Sequence, residues 1–228
     1  MTTYPVQEIF SSLQGEGIYA GQPHIFLRFS GCNLACSFCD EQGIDVCSMH
    51  IARIAERIKT LDQEEGPHAY LSLTGGEPLL YPDAMLQLRA LLPGTLPFYL
   101  ETNGTLADAF LRVRKAVAVV AMDIKLPSMT GERDCFDEHR SFLAVVEKSR
   151  VPLFVKIVVS ETADADEVRS AVALVAAVSK DIPLVLQPVT VDGCCTVSGR
   201  LRWLQREAAA QVRDVRIIPQ IHRLVGLP

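Results

Sequence analysis

The sequence predicts an α/β protein, an open or partial (β/α) barrel of about six to seven parallel strands. Three observations predict this class. Short β-branched or apolar runs alternate with amphipathic segments, as they do where parallel strands are covered by helices. The chain has 228 residues, fewer than the about 250 that a complete eight-unit barrel usually takes. Polar motifs stand where the predicted strands end, which is where functional groups gather in such folds.

Seven segments have the composition of strands. Each is short and dominated by apolar residues, as expected for strands that are buried on both faces of a parallel sheet. In chain order they are His24–Phe29, Ala69–Leu73, Phe98–Glu101, Val117–Asp123, Val151–Val159, Pro183–Gln187 and Val215–Ile218.

Five amphipathic segments between these strands predict helices. The clearest is Met49–Leu61, whose apolar residues recur three and four positions apart on one face: Ile51, Ile54, Ile58 and Leu61. The other four are Asp83–Leu92, Phe136–Glu147, Asp164–Val178 and Ser198–Ala210. Asp164 and Ser198 suit the N-cap position, because their side-chain oxygens can accept hydrogen bonds from the first free amides of a helix. The segment Asp40–Cys47 has few helix signals and is predicted to be a loop.

A flat, doubly wound sheet is the competing topology. No GxGxxG motif follows the first predicted strand, which disfavours a dinucleotide-binding version of that sheet. Internal repeats, low-complexity stretches and an interdomain linker are not evident, so we expect residues 1–228 to form a single domain.

Composition argues against several classes of protein. The net charge of −5 provides no basic field for nucleic acid. Uncharged runs all fall well short of the roughly 18 residues that a membrane span needs, and we expect no signal peptide. The seven cysteines are odd in number and have no spacing typical of a disulfide framework. A reducing cytoplasm is therefore the expected location.

The most informative motif is the run GCNLACSFCD over residues 31–40, with Cys32, Cys36 and Cys39 spaced C-x3-C-x2-C. Structural zinc sites and electron-transfer iron–sulfur clusters usually take four protein ligands. Three thiolates on one loop instead indicate a cluster with one iron open to a reacting ligand. A zinc site remains the alternative, and Cys47 or His50 would then supply the fourth ligand.

Further motifs follow the other predicted strands. Thr74–Pro78 (TGGEP) follows the second strand, Glu101–Gly104 (ETNG) the third, and Asp123–Lys125 ends the fourth. Lys156 lies in the fifth strand, and Gln187-Pro188 ends the sixth. Because carboxyl ends of parallel strands meet at one edge, we expect these groups to share one site with the cysteines.

The cysteine motif together with TGGEP resembles the radical S-adenosylmethionine superfamily. The resemblance implies a 4Fe-4S cluster whose open iron is chelated by S-adenosylmethionine, which one-electron cleavage converts to a 5′-deoxyadenosyl radical. The two glycines are either a simple tight turn or a place where backbone carbonyls meet the ammonium of the methionine moiety.

The ends of the chain narrow the resemblance. EIFSSLQGEG over 8–17, FLRFSGCN over 26–33 and the tail PQIHRLVGLP over 219–228 are similar to the 7-carboxy-7-deazaguanine synthase family. The resemblance implies conversion of 6-carboxy-5,6,7,8-tetrahydropterin to 7-carboxy-7-deazaguanine with loss of ammonia, in queuosine and 7-deazapurine biosynthesis. It also implies a Mg²⁺ requirement and no catalytic side chain beyond the bound cofactor.

The same resemblance implies ligands for each molecule. Residues expected around S-adenosylmethionine are Phe38, Asp40, Gly75, Gly76, Glu77, Asn103, Asp123, Ile124, Lys125 and Lys156. Residues expected around the pterin are Leu13, Gln14, Gly15, Glu16, Arg28, Thr74, Gln187, Pro188, His222 and Pro228. Arg28 would hold the substrate carboxylate, for which its planar fork is suited; otherwise it forms a surface ion pair. His222 is either a hydrogen-bond donor to the substrate or a solvated histidine. The N-terminal segment and the tail would complete the pocket.

One position departs from the family pattern. The family commonly has Asp-Thr after the third cysteine, with the threonine hydroxyl on Mg²⁺, whereas this chain has Asp40-Glu41. A carboxylate is a suitable hard ligand, so Glu41 is a candidate for Mg²⁺, and a differently held ion is the alternative.

Two other functions remain as alternatives: a glycyl-radical-enzyme activase of the same superfamily, and a non-catalytic zinc-binding module. For the enzyme we expect a flavodoxin or ferredoxin as reductant and, from the resemblance, a homodimer.

Overall fold

The computed structural model describes residues 2–37, 39, 45–94, 96–190, 195 and 198–227. Nine strands form one sheet in the order β3-β1-β2-β4-β5-β6-β7-β8-β9, with β3 and β9 at its two edges. The strands are β1 Thr3–Leu13, β2 Pro23–Phe29, β3 Cys47–His50, β4 Tyr70–Gly75, β5 Phe98–Thr102, β6 Val117–Asp123, β7 Leu153–Val159, β8 Leu184–Pro188 and β9 Val215–Ile217.

Seven of these strands, β2 and β4 to β9, run parallel. They are the seven strands predicted from the sequence, and their bounds agree within two residues. The open sheet of parallel strands confirms the predicted fold class. β1 is antiparallel to both β2 and β3.

The helices lie between successive parallel strands or flank the sheet. They are α1 Ile51–Glu65, α2 Pro82–Leu91, α3 Ala107–Val113, α4 Pro127–Thr130, α5 Phe136–Ser149, α6 Ala165–Val178, α7 Gly199–Ala209 and α8 Ile221–Val225. Short 3-10 turns occur at Gly17–Tyr19 and Pro78–Leu80. Both predicted N-caps are confirmed, since Asp164 accepts from the amide of Asp166 at 2.7 Å and Ser198 from that of Leu201 at 3.1 Å. No helix in the described part of the chain combines the length and apolar character needed to cross a bilayer.

The sequence prediction is wrong around β1 and β3. β1 was not predicted, because only Tyr4 and Val6 of its eleven residues are buried and its remaining residues do not form an apolar run. Met49 and His50, predicted to begin a helix, pair instead with Tyr4 and Thr3, so the helix begins at Ile51. Cys47, predicted to end a loop, is the first residue of β3.

The sheet separates two sets of buried side chains. One set packs against the helices and forms the main core, for example Leu100, Val120, Val155 and Leu184. The alternate residues of the same strands face the opposite side, where Tyr99, Val119, Phe154 and Val185 form a smaller apolar cluster. This alternation is expected because successive strand residues point to opposite faces. Two members of the smaller cluster, Tyr99 and Phe154, also line the cavity described below, beside the polar groups at the strand ends.

Candidate active site

A cavity of about 460 Å³ lies at the carboxyl ends of the parallel strands. Groups from β2, β4, β5, β6, β7 and β8 line it, together with the cysteine loop and residues from both ends of the chain. The described members of the predicted site that line it are Leu13, Gln14, Gly15, Glu16, Arg28, Cys32, Cys36, Cys39, Thr74, Gly75, Gly76, Asn103, Asp123, Lys125, Lys156, Gln187 and His222. A larger depression of about 1360 Å³ lies outside the sheet, among α3, α5 and α6, and contains none of these groups.

Some predicted site residues lie elsewhere. Glu77, Ile124 and Pro188 are buried and are not among the residues that line the cavity. Phe38, Asp40, Glu41 and Pro228 lie outside the described residues.

The three thiols of the cysteine motif all face the cavity. Hydrogen bonds hold their loop to the segment around α4: Ala35 donates its amide to Glu132 Oε1 at 2.6 Å, and Ser37 donates its amide to the Thr130 carbonyl at 2.8 Å. Burial raises the pKa of the thiols of Cys32 and Cys36. Deprotonated sulfur at Cys32 and Cys36 therefore needs a nearby cation. Three cysteine side chains beside one open cavity fit a metal cluster.

The alternative ligands for a zinc ion are not in this cavity. Cys47 lines a separate groove between β1 and α1, and His50 pairs with Thr3 at the start of β1. Within the described ranges, no three His, Cys, Asp or Glu side chains, the motif cysteines included, converge on a single metal ion. A 4Fe-4S cluster does not require this convergence, because each of its cysteines binds a different iron.

Gly75 and Gly76 allow the turn after β4 to lie against the cysteine loop. Gly75 has a φ of +109°, and a Cβ there would overlap the backbone of Phe29. A Cβ on Gly76 would overlap the carbonyl of Gly31. The glycine pair is thus required by close backbone approach, and it leaves one wall of the cavity without side chains.

Glu77 stabilises this turn from below. It is fully buried, and its carboxylate accepts hydrogen bonds from Leu79 N at 3.0 Å, Thr102 Oγ1 at 2.9 Å and Asn103 N at 2.8 Å. Burial raises the pKa of Glu77 to about 7, against the lowering effect of these donors. The carboxylate thus ties the turn after β4 to the end of β5.

A network of charged groups forms the floor of the cavity. Lys156 forms an ion pair with Glu16 and lies 3.4 Å from Asp123 Oδ2, which Lys125 contacts at 2.9 Å. Burial would raise the pKa of Glu16, but the Lys156 ammonium and a hydrogen bond from Gln220 hold it at about 2. Burial likewise opposes the charge of Lys156, and the carboxylates of Glu16 and Asp123 raise its pKa. Glu16 and Lys156 are therefore both charged at neutral pH.

Glu101 is a site residue that sequence reasoning noted only as part of a motif. Its two carboxylate oxygens accept hydrogen bonds from Gln14 Nε2 and Thr74 Oγ1, each at 2.9 Å. Burial, with the nearby charge of Glu16, raises the pKa of Glu101. Its position at the end of a predicted strand was the signal that would have identified it.

Aromatic side chains form the rim beside β1 and β2. The rings of Phe10 and Phe26 stack with centroids 5.1 Å apart, and the Arg28 guanidinium lies 5.2 Å from the centre of the Phe10 ring. Arg28 also forms an ion pair with Glu8 at 3.3 Å. The phenylalanines were not predicted to be site residues, because two apolar side chains in a strand resemble core.

The two ends of the chain meet at the cavity. Ile221 donates its amide to the Gly15 carbonyl at 2.8 Å, and Gln220 Nε2 donates to Glu16 Oε1 at 2.8 Å. The His222 ring packs so closely on Gly15 that a Cβ there would overlap it. Gln220, Val189, Thr190 and Arg223 line the cavity and were not predicted.

Several polar atoms at this cavity have no partner among the described residues. They are Asp123 Oδ1, Gln187 Oε1 and Thr190 Oγ1, each buried from solvent. Buried polar atoms are normally hydrogen-bonded, so these acceptors are suited to contact a bound molecule.

Comparisons with known proteins identify the family. Residues 27–149 match the model of the Radical SAM superfamily. A 7-carboxy-7-deazaguanine synthase from Geobacter sulfurreducens is 37% identical, over 97% of this chain and 96% of the relative. The synthase of that name from Methanothermobacter thermautotrophicus is 32% identical, over 98% of this chain and 97% of the relative.

Solved structures agree in fold. The crystal structure of QueE from Escherichia coli matches with a TM-score of 0.63 and 19% identity, over 96% of this chain and 95% of that one. Streptococcus suis SuiB bound to S-adenosylmethionine matches with a TM-score of 0.58 and 17% identity, over 82% of this chain and 48% of that one.

Membership of the superfamily implies a 4Fe-4S cluster and S-adenosylmethionine. The three sulfur donors, the side-chain-free glycine wall and the unpartnered acceptors of the cavity fit both groups. The chain belongs to the radical SAM superfamily and, within it, to the family of the 7-carboxy-7-deazaguanine synthases.

Proposed function

We propose that this chain is a radical SAM lyase that converts 6-carboxy-5,6,7,8-tetrahydropterin to 7-carboxy-7-deazaguanine with loss of ammonia, in queuosine or other 7-deazapurine biosynthesis. The likeness to the named synthases over almost the whole chain is the observation that carries the proposal. The superfamily model covers only residues 27–149. Leu13–Glu16, Gln220 and His222 lie outside that range and line the same cavity as the cysteines. The likeness thus extends to the parts of the chain that would select a substrate.

In this proposal Cys32, Cys36 and Cys39 bind the cluster. Residues proposed to surround S-adenosylmethionine are Gly75, Gly76, Asn103, Asp123, Lys125 and Lys156. When bound, the cluster and S-adenosylmethionine supply the one-electron chemistry that removes a hydrogen atom from the substrate. The protein's own contribution is to bind, orient and desolvate.

The carboxylate of the substrate is assigned to Arg28. Its guanidinium lies over the Phe10 ring and forms an ion pair with Glu8, whose side chain is exposed. A substrate carboxylate is a second anion that the same fork can accept. Gln187 Oε1 and Thr190 Oγ1 are acceptors suited to the amino and ring N–H groups of a pterin.

We propose further that the N-terminal segment and the C-terminal tail complete the substrate pocket of a single domain spanning residues 1–228. The contacts of Ile221 with Gly15 and of Gln220 with Glu16 support this. An uncleaved C-terminal tag should lower kcat/KM sharply, and removal of the tag through a protease site should restore it. Full activity with the tag in place would contradict the proposed role of the tail.

Mg²⁺ is proposed as a third component, with Glu41 as its candidate ligand. The support is chemical, because carboxylate oxygen is a ligand that Mg²⁺ prefers. Turnover of Glu41→Ala should need a higher Mg²⁺ concentration. Glu161→Ala is the control, because Glu161 is exposed and does not line the cavity. An unchanged Mg²⁺ dependence would remove Glu41 from the ligand set.

The remaining assignments follow the family. We propose a flavodoxin or ferredoxin as electron donor, a homodimer, and the cytoplasm as location. The described cysteines are all free of disulfide bonds, which fits a reducing compartment.

The decisive experiment is anaerobic turnover with dithionite, S-adenosylmethionine, Mg²⁺ and 6-carboxy-5,6,7,8-tetrahydropterin. The purified protein should be brown and contain four irons per chain, and the product should be 7-carboxy-7-deazaguanine. Cysteine-to-alanine variants at the three cluster positions should abolish the colour and the product together. A colourless zinc protein, or a brown protein that leaves this pterin unchanged, would refute the proposed function.

A further inference from the structure

Cys32 differs from the other two cysteines of its motif in the hydrogen bonds at its sulfur. Leu34 N lies 3.5 Å from Cys32 Sγ, and Asn103 Nδ2 lies 3.7 Å from it. In the described part of the chain, the sulfurs of Cys36 and Cys39 receive no such bond. The Leu34 amide is two residues away on the same loop, whereas Asn103 follows β5, 71 positions further along the chain.

The orientation of the Asn103 amide follows from its neighbours. Asn103 Oδ1 accepts from Thr105 N at 3.1 Å and from Thr105 Oγ1 at 2.6 Å. A backbone N–H can only donate, so the oxygen of the amide must face Thr105. The Nδ2 group then faces the other way, towards Cys32 Sγ and towards Asn33 Oδ1 at 2.9 Å.

Two buried groups hold the backbone of Asn103. Glu77 accepts its N–H at 2.8 Å, and His139 Nε2 lies 3.1 Å from its carbonyl oxygen. Both side chains have 0% exposure. Because a carbonyl can only accept, His139 must carry its proton on Nε2, and its Nδ1 has no partner among the described residues. A buried histidine in α5 thus acts on the turn that contacts Cys32.

We propose that Asn103 raises the reduction potential of the cluster through its N–H···S hydrogen bond to Cys32, and that His139 is a positioning residue for that bond. Reduction adds negative charge to the cluster and its sulfurs. A donor aimed at a sulfur therefore stabilises the reduced form more than the oxidised form, and hydrogen bonds to sulfur are one of the terms that set such potentials. The inference rests on the cluster and is independent of the identity of the substrate.

The test is a potentiometric titration of the reconstituted holoprotein, followed by the EPR signal of the reduced cluster. Asn103→Leu keeps the size of the side chain and removes the donor. At a fixed ambient potential its ratio of reduced to oxidised cluster should fall about tenfold, which is about 59 mV for a one-electron couple. Thr105→Val is the matched control. It removes the hydroxyl, which donates to Asn103 Oδ1 and accepts from Asn33 Nδ2 on the cysteine loop. It keeps the Thr105 N–H that orients Asn103, and it should titrate like the parent.

A second pair of variants tests the positioning role. His139→Phe fills the buried space without a donor and should lower the potential in the same direction. His139→Gln offers an amide N–H to the Asn103 carbonyl and should restore most of the parent value. If His139 only filled space in the core, the reduction potential of His139→Gln would not recover relative to that of His139→Phe.

Parent-like potentials for Asn103→Leu with four irons per chain would overturn the proposal. If Asn103→Leu does not retain four irons, the two His139 variants test the proposal instead. Equal reduction potentials for His139→Phe and the parent would then overturn the proposal. These readings use no pterin. A failed turnover assay with a normal potential shift would therefore count against the proposed substrate and not against this inference.

Discussion

Lys156 and Glu16 form a partly buried ion pair that joins the middle of β7 to the segment after β1. Their side chains are 16% and 22% exposed. Glu16 also accepts a hydrogen bond from Gln220, 204 positions further along the chain. One carboxylate therefore links the N-terminal segment, the sheet and the C-terminal segment around the cavity.

Replacing Glu16 by Gln should destabilise the protein. Lys156 keeps Asp123 as a partner, at 3.4 Å, so the expected cost is about 1–3 kcal/mol, below that of a buried charge left without any partner. Glu207→Gln is the control, because its ion pair with Arg169 is 44–46% exposed and such pairs contribute little. The measurement is urea unfolding followed by the single tryptophan, Trp203. Equal unfolding free energies for the two variants would contradict the structural role of the pair.

Stability should fall on acidification because of His24. This ring is fully buried among Phe26, Tyr70 and Tyr99 and contacts Ser72 Oγ at 2.8 Å. Burial lowers its pKa from 6.5 to about 4. The folded state thus resists protonation of His24. The unfolding free energy therefore has its full value above pH 6.5 and declines as the pH falls towards 4.

Between pH 7 and 5, His24 should remove about 2 kcal/mol of unfolding free energy. His24→Phe removes the titrating ring, so its stability should depend less steeply on pH in this window. The slope is the relevant readout, because the variant also leaves Ser72 without its partner and loses stability at every pH. Parallel curves for the variant and the parent would show that His24 is not the group responsible.

Gly75→Ala should disrupt the cluster site. The positive φ of Gly75 and the overlap of a new Cβ with the Phe29 backbone would force the β4 turn away from the cysteine loop, at a cost of about 1–3 kcal/mol for the backbone strain alone. Iron content per chain and the unfolding midpoint should both fall. Gly199→Ala, where a Cβ meets open space at the start of α7, should leave both unchanged. A full iron complement in Gly75→Ala would contradict this reasoning.

Arg28→Lys should weaken substrate binding without affecting the cluster. Lysine keeps the charge and loses the planar fork and its contact with the Phe10 ring. We expect KM for the pterin to rise about 10- to 100-fold, as for the loss of a charge-assisted hydrogen bond. Arg53→Lys on the exposed face of α1 is the control, and iron content should match the parent in both. An unchanged KM in Arg28→Lys would place the substrate carboxylate elsewhere.

The accuracy of the fold prediction depended on where each strand lies. β6 was predicted with its observed bounds, because central parallel strands are apolar on both faces and stand out in the sequence. β1 lies outside the parallel set and exposes or half-exposes nine of its eleven residues, so its composition resembles that of a loop. Met49 and His50 continue an apolar helical pattern, and only their pairing with β1 assigns them to a strand.

The site was predictable as a location and less so as a set of contacts. Motifs at successive strand ends indicated one shared cavity, because the carboxyl ends of parallel strands meet there. Glu77 stays a predicted cofactor-binding residue, and only the structure shows that its buried carboxylate also holds the turn after β4 to Asn103. His139 fits the apolar face of α5 and gave no sign of its contact with Asn103.

The sequence alone determined the chemistry and the class of this protein: three cysteines at close spacing, polar motifs at strand ends, and seven strands with the spacing of a partial barrel. Those features are local, so they are readable without a structure. Only the tertiary structure decided which distant groups meet, such as Glu16 with Lys156 and Gln220, or Asn103 with Cys32 and His139. Such pairs are set by the packing of elements that are far apart in the chain, and no spacing in the sequence encodes them.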